Sequence, residues 1–377
     1  MHHRNRTPLR RACSAAILAT MAAAAPAAAQ APPTVTLAAS PSTAGYGKPV
    51  RLTGAVTPPA AQPVSITVQP RGGAPRQLAA GTTGADGTFR LTTKAVLPGD
   101  LVAHAGPAAS APVPLILRPH LTARWSGTRL PGGRIALTAR LTPADAGTLN
   151  LPAGRAGRYR LRTRAARAGR RCARVKLRAK PGYAKLAARR RCIAIAAPAL
   201  AAGSRGPAVR FLERRLGRLH YLLLNENASF GADTRDAVYA FQKIQRLART
   251  GVVGTTMWNA LAHAHSPRAS RGGTHIEVHK PRQVLFEVHG GRVIHVVNTS
   301  TGLTGNTPVG RWRIYHKDPG SNSLGMLDSL YFTGAYAVHG YHSVPPYQAS
   351  HGCARIPLWA AHGVYSRWNV GDTVYVL

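Results

Sequence analysis

Between residues 33 and 117, apolar positions recur at every second residue in short runs. These are Val35 and Leu37, then Val50 and Leu52, then Val64, Ile66 and Val68, then Phe89 and Leu91 after the turn residues Asp86-Gly87. Side chains of an extended chain alternate between two faces, so this spacing predicts a small immunoglobulin-like β-sandwich. From 118 to 198 the pattern repeats, with Ile135, Leu137, Ala139 and Leu141 on one face and Val175 with Leu177 nearby, and predicts a second such sandwich. Neither block gathers catalytic residue types, so both are expected to be spacers. From 203 to 262 the period changes. Val209, Leu212, Leu216 and Leu219 fall three or four residues apart, as do Ala237, Phe241 and Ile244, which lines one face of a helix. The predicted order is helix, loop, helix, turn, short helix, with Thr250-Gly251 as a helix stop. Residues 266–273 (SPRASRGG) read as a polar linker. The block 274–377 returns to strands, Ile276 to Val278, Val284 to Val288, Val293 to Val297 and Trp312 to Tyr315, with Gly290-Gly291 as a hairpin turn. The expectation is a multidomain, mostly β chain with one three-helix domain, in which the helical and C-terminal blocks act separately.

Composition sharpens this picture at the N-terminus. Arg4, Arg6, Arg10 and Arg11 precede an Ala-rich apolar stretch that ends in Ala27-Ala28-Ala29, the layout of a signal peptide spanning 1–29. The stretch is shorter and weaker than the roughly 20 strongly apolar residues of a membrane span. No later segment is long and apolar enough to span, so the mature protein is expected to be secreted, to a periplasm or cell wall. Against 12 Asp and Glu stand 50 Lys and Arg, a formal charge of +38. Such a field favours polyanions. Zinc-finger spacing, an RNP motif and a basic helix interleaved with aromatics are missing, so nucleic acid is not an expected partner. Anionic wall polymers and lipid head groups are nearer for an exported chain, and an arginine- and alanine-biased genome is the plainer source of the charge.

The four cysteines divide by position. Cys13 leaves with the signal peptide, and Cys172 and Cys192 are expected to pair in an oxidising compartment, closing a loop worth roughly 3 kcal/mol in the chain-entropy model. Cys353 is then alone, either a reactive thiol or an inert buried one. Around it stand Tyr336-Ala337-Val338-His339-Gly340-Tyr341-His342 and Ser350-His351-Gly352-Cys353-Ala354-Arg355. Free cysteine, with a pKa of about 8.5, supplies little thiolate near neutrality unless an imidazole or a positive dipole assists it. A lone cysteine near a histidine at a strand end therefore admits nucleophilic catalysis, although such a pair taken by itself is more often structural. Gly352 permits a sharp turn that aims backbone amides at a developing oxyanion. A zinc site on His339, His342, His351 and Cys353 has suitable ligand types, but the spacing lacks the usual short ligand pairs, so no metal is expected.

Two resemblances follow from these residues. Residues 203–262 resemble the type 1 peptidoglycan-binding domain on Gly206, Val209, Leu212, Leu216, Leu219, Tyr221, Phe230-Gly231, Thr234, Ala237-Val238, Phe241-Gln242, Leu247, Thr250-Gly251, Val253-Gly254, Thr256, Trp258 and Leu261. Asn227-Ala228 stands where that family usually has Asp-Gly. Residues 274–377 resemble the L,D-transpeptidase (YkuD-like) catalytic domain, a β-sandwich-like fold. The likeness rests on His339-Gly340, Ser350-His351-Gly352-Cys353-Ala354-Arg355, Ser300-Thr301-Gly302, Thr307-Pro308-Val309-Gly310 and the closing Val370 to Val376. The gap from His339 to Ser350 is short for the family. The resemblance implies Cys353 as nucleophile, His339 as its base oriented by the Gly340 carbonyl, and the Gly352 and Cys353 amides as oxyanion hole. It further implies that His351, Ser350 and Arg355 shape the site and hold substrate. Tyr331, Tyr336 and Tyr341 are candidate substrate-wall residues, with core packing equally open. The implied partners are peptidoglycan stem peptides and glycan, with no cofactor. A hydrolytic L,D-carboxypeptidase and a non-catalytic wall-binding protein are the alternatives.

Overall fold

The computed structural model describes residues 32–377; the leader read at 1–29, with Cys13, lies outside the described residues. The chain divides into two compact units, one ending at Ile116 and one spanning Leu117–Leu377.

In the first unit the alternating runs form the strands Pro49–Thr57, Pro63–Gln69 and Thr88–Lys94. They belong to two sheets of antiparallel pairs, with Val50, Leu52, Val64, Ile66 and Phe89 buried. Two further strands, Arg76–Thr82 and Gly99–Ala105, lie outside the alternating runs. Arg76–Thr82 lies at a sheet edge with no buried residue, so it has no apolar alternation to read.

The second unit begins with a three-stranded antiparallel sheet in which Arg134–Thr142 lies between His120–Gly127 and Arg158–Arg164. Ile135, Leu137, Ala139 and Leu141 are buried on it. The strands Gly169–Val175 and Arg189–Ile195 place Cys172 directly opposite Cys192, and a disulfide joins the two. Three helices follow, α1 Pro207–Gly217, α2 Ala232–Ile244 and α3 Thr255–His263. Helix α2 therefore ends at Ile244, before the stop expected at Thr250-Gly251. Arg246 adopts a left-handed φ of 55°, and the Leu247 amide reaches back 2.8 Å to the Gln242 carbonyl. This is the helix-ending bond pattern that glycine usually serves, so an arginine there leaves no punctuation in the sequence. Thr250-Gly251 instead forms a turn held by the Gln242 side chain, which accepts the Gly251 amide at 3.0 Å and donates to the Val252 carbonyl at 2.9 Å.

The C-terminal block contains a five-stranded sheet in the order Arg292–Asn298, Val284–His289, His275–His279, Thr373–Val376, Gly310–Arg313. The last pairing shifts the strand expected at Trp312 to Tyr315 two residues toward the N-terminus. A four-stranded sheet follows, His316–Ser321, Leu327–Thr333, Tyr336–Tyr341, Ala354–Pro357, and helix α4 Leu358–Arg367 packs on it. Helix α4 was not expected. Its buried face is made of Ala360, Ala361 and Val364, too small to give a strong apolar period.

The helical and C-terminal blocks are not separate. In the strand Val284–His289, Val284, Phe286 and Val288 join the core formed by Leu212, Phe241 and Trp258, while Leu285 joins a second core with Ile276, Val338 and Trp368. A strand covered on both faces reads as a continuous apolar run, which is what Val284 to Phe286 show. Polar bonds cross the same boundary. The buried Lys243 ammonium of α2 donates to the Gln283 carbonyl at 2.7 Å, to the Thr299 carbonyl at 2.9 Å and to Asn298 Oδ1. Asp236, also on α2, accepts from Asn298 Nδ2 at 3.0 Å and from Trp359 Nε1 of α4 at 2.9 Å. The stretch read as a free linker is itself tied down, with the Ser270 and Arg271 amides donating to the buried Glu277 carboxylate at 2.8 and 3.0 Å. No helix among the described residues is long and apolar enough to cross a membrane.

Candidate active site

The strand Tyr336–Tyr341 pairs in parallel with Ala354–Pro357, setting His339 opposite Arg355. Parallel neighbours cannot be joined by a tight hairpin. The chain leaves after Tyr341, crosses over through residues 342–353 and re-enters the sheet, which returns Cys353 to the neighbourhood of His339. Gly340 is required on the first strand by close packing of α4, since a β-carbon there would lie 2.5 Å from Ala361 Cβ. The crossover is held at several points. Asn298 Nδ2 donates to the Val344 carbonyl at 3.3 Å, Arg249 to the Pro346 carbonyl at 2.8 Å and Ser300 Oγ to the Tyr347 carbonyl at 2.6 Å.

A cleft of about 390 Å³ is lined by Tyr336, His339, Tyr341, Ser350, His351, Cys353 and Arg355, together with Leu324, Met326 and Ala335. His339 is buried, and its Nδ1 lies 2.9 Å from the Gly340 carbonyl. A carbonyl only accepts, so this contact assigns the proton to Nδ1 and leaves the Nε2 lone pair available. Cys353 is half-buried; its sulfur lies 3.4 Å from the Ala337 amide and 3.6 Å from the Ala335 carbonyl. No hydrogen bond joins His339 to Cys353 among the described residues, and such contacts commonly tighten only with substrate in place. The Arg355 guanidinium lies over the Tyr341 ring at 4.1 Å and donates to the Ala349 carbonyl at 3.1 Å.

The turn before Cys353 is fixed through its backbone. Asn306 Nδ2 donates to the His351 carbonyl at 2.8 Å and Thr307 Oγ1 to the Gly352 carbonyl at 2.6 Å. Ser350 Oγ donates to the Cys353 carbonyl at 2.6 Å and accepts the Gly352 amide at 3.0 Å. Gly352 has φ 141°, and a β-carbon there would lie 2.3 Å from Tyr336 Cε1, so only glycine fits. Two expectations change as a result. The Gly352 amide is already bonded to Ser350, which removes it as an oxyanion donor in this state, while the Cys353 amide has no partner among the described residues. Ser350 lines the cleft, but its hydroxyl braces the turn.

Burial pushes His339 down to about 4, reinforced by the Arg355 charge and opposed by the bond to Gly340. Burial also pushes the Cys353 thiol up, against the pull of the Ala337 amide and Arg355. At neutral pH the site thus holds a neutral thiol and a neutral imidazole rather than a preformed ion pair.

Residues 273–376 match the family model of the L,D-transpeptidase catalytic domain, and residues 205–261 match that of a peptidoglycan binding domain. Among solved structures, an L,D-transpeptidase from Xylanimonas cellulosilytica is 34% identical, over 48% of this chain and 98% of that one, with a TM-score of 0.45. Residues 273–376 are thus an L,D-transpeptidase catalytic domain. A chicken TCR structure is 12% identical over 38% of this chain and 94% of that one, with a TM-score of 0.22. No curated protein matches the chain.

In this L,D-transpeptidase domain, Tyr331 lies outside the cleft lining, where its ring packs near His316 and Tyr315 at 5.7 and 6.3 Å. Sequence reasoning missed Leu324 and Met326, which line the cleft from the turn between Ser321 and Leu327; Leu324 is 71% exposed, and that exposure is invisible in sequence. It also missed Asn306, although the adjacent Thr307-Pro308 was part of the resemblance. Among the described residues, no group of three or more His, Cys, Asp and Glu side chains is placed to hold a metal ion.

Proposed function

We propose that the chain is an extracytoplasmic enzyme that crosslinks peptidoglycan stem peptides through a thioester on Cys353. The observation that carries the reading is the convergence of a neutral His339, its Nδ1 tied to Gly340, and Cys353 in one cleft. The donor is a tetrapeptide stem ending in a D-residue. As the Cys353 sulfur attacks the carbonyl of the preceding L-centre, its proton passes to His339 Nε2 and the oxyanion takes the free Cys353 amide. The carbon–nitrogen bond breaks, His339 returns the proton to the leaving amine, and a D-amino acid departs. A side-chain amine of a second stem then attacks the thioester, giving its proton to His339, and the thiol is restored. Arg355 offers a charged fork for a donor carboxylate. Tyr336 and Tyr341, with His351 at the rim, wall the cleft. The helical domain supplies contact with peptidoglycan.

The acceptor is tested by product analysis. A tetrapeptide donor mixed with a stem bearing a free side-chain amine is expected to give a crosslinked dimer and one D-amino acid per crosslink. Release of the D-amino acid with tripeptide alone would assign the chain as an L,D-carboxypeptidase.

A further inference from the structure

The sheet of His120–Gly127, Arg134–Thr142 and Arg158–Arg164 carries an arginine-rich outer face. Arg158, Arg160, Arg162 and Arg164 all stand exposed on the outer strand. On the middle strand Arg140 lies directly opposite Arg158, and Arg134 directly opposite Arg164. Arg124 on the third strand lies opposite Thr138, which in turn lies opposite Arg160. Directly opposed residues share a face, and like charges so placed repel. No Asp or Glu stands on these three strands, and none of these arginines joins an ion pair among the described residues. Two grooves of about 710 and 500 Å³ run over this face and share Arg160. Their floor is small, formed by Ala136, Thr138 and Thr122.

Repulsion left uncompensated within the fold is the kind of local violation that a bound partner offsets. The partner must be an extended polyanion, because alternate residues of a strand repeat every 6.6–6.8 Å or so and present a row of charges. Arginine's planar fork pairs bidentately with phosphate oxygens. Proteins that hold single-stranded nucleic acid add aromatic stacking platforms. This face has none, since Tyr159 is buried and Trp125 is engaged through Nε1 with the Arg191 carbonyl at 2.9 Å. We propose that it binds a linear polyol-phosphate polymer of the cell envelope and so anchors the enzyme at the wall independently of the peptidoglycan-binding helices. Only the envelope as location rests on the proposed function.

The test compares the full chain with its Arg160→Gln/Arg162→Gln variant for binding to poly(glycerol phosphate) across a salt series. Wild type is expected to bind with log affinity falling linearly in log salt. The variant is expected to lose about tenfold or more at low salt, with a slope shallower by about 1.4, from about 0.7 per phosphate contact. Its turnover of a soluble stem peptide is expected to stay unchanged, which also reports that it is folded. If the double variant fails to fold, Arg162→Gln alone is expected to show a slope shallower by about 0.7. Arg210→Gln, on α1 and on none of the three strands, is expected to keep the affinity. Equal binding by the face variants, equal loss from Arg210→Gln, no binding by wild type, or tighter binding of a single-stranded oligonucleotide of the same charge would overturn the proposal. Absence of crosslinking with polymer binding intact would count against the transpeptidase reading alone.

Discussion

Deletion of residues 203–262 is expected to unfold the C-terminal catalytic domain, not merely to loosen its hold on the wall. The separate sequence blocks suggested that soluble turnover would survive such a truncation, and the shared core reverses that expectation. Val284, Phe286, Val288, Val293 and Val296 all sit in the cluster completed by α1, α2 and α3, none more than 5% exposed. Each fully buried side chain of this kind contributes about 1.5–3 kcal/mol, so exposing them together approaches the whole 5–15 kcal/mol by which a domain is stable. The lost Lys243 also leaves the Gln283 and Thr299 carbonyls and Asn298 Oδ1 without their donor, each worth about 1–3 kcal/mol if it stays buried. Thermal unfolding followed by circular dichroism distinguishes the cases. A fragment 274–377 that melts cooperatively within a few degrees of the full chain, with unchanged peptide turnover, would contradict this account of the interface.

Replacing His339 with Ala is expected to slow acylation of Cys353 by about 100- to 10,000-fold, the range for loss of a positioned general base. The pH profile separates this role from a structural one. In the wild type the base is neutral above its pKa of about 4, so acylation is expected to hold well below pH 6 and fall as pH passes through 4. Without the base, the rate follows the thiolate. Burial holds the thiol above its ordinary value, so the variant's rate is expected to keep climbing into the alkaline range. Folding stability has a matching sign. The unfolded histidine takes up its proton near 6.5 and the folded one only near 4, so the unfolded state binds more protons between those values and stability falls as pH drops across that window. The acid limb is therefore to be measured alongside circular dichroism. A His339→Ala profile that parallels the wild type would remove His339 from the proton path.

Much of this architecture was legible because periodicity reports burial. The alternation at Ile135 to Leu141 and the helical spacing at Val209 to Leu219 each mark a face that the structure buries. Where burial is two-sided or the buried side chains are small, periodicity fades, so α4 and the docking of Val284 to Val288 against the helices went unread. Helix ends at His220 and Arg246 escaped because non-glycine residues hold left-handed conformations there. At the site, side-chain types and spacing located His339 and Cys353, but not which amides were free. That depended on Ser350 accepting from Gly352, a bond set by turn geometry. Long-range supports such as Arg249 on Pro346 join residues far apart in sequence, and no local pattern announces them.

The most direct measurement is intact-protein and peptide mass analysis after mixing the chain with a tetrapeptide stem. A thioester adduct of the stem lacking its terminal D-residue is expected, mapped to Cys353, with no adduct on Cys353→Ser. An adduct mapped to any other residue, or D-amino acid release at wild-type rate by Cys353→Ala, would contradict it.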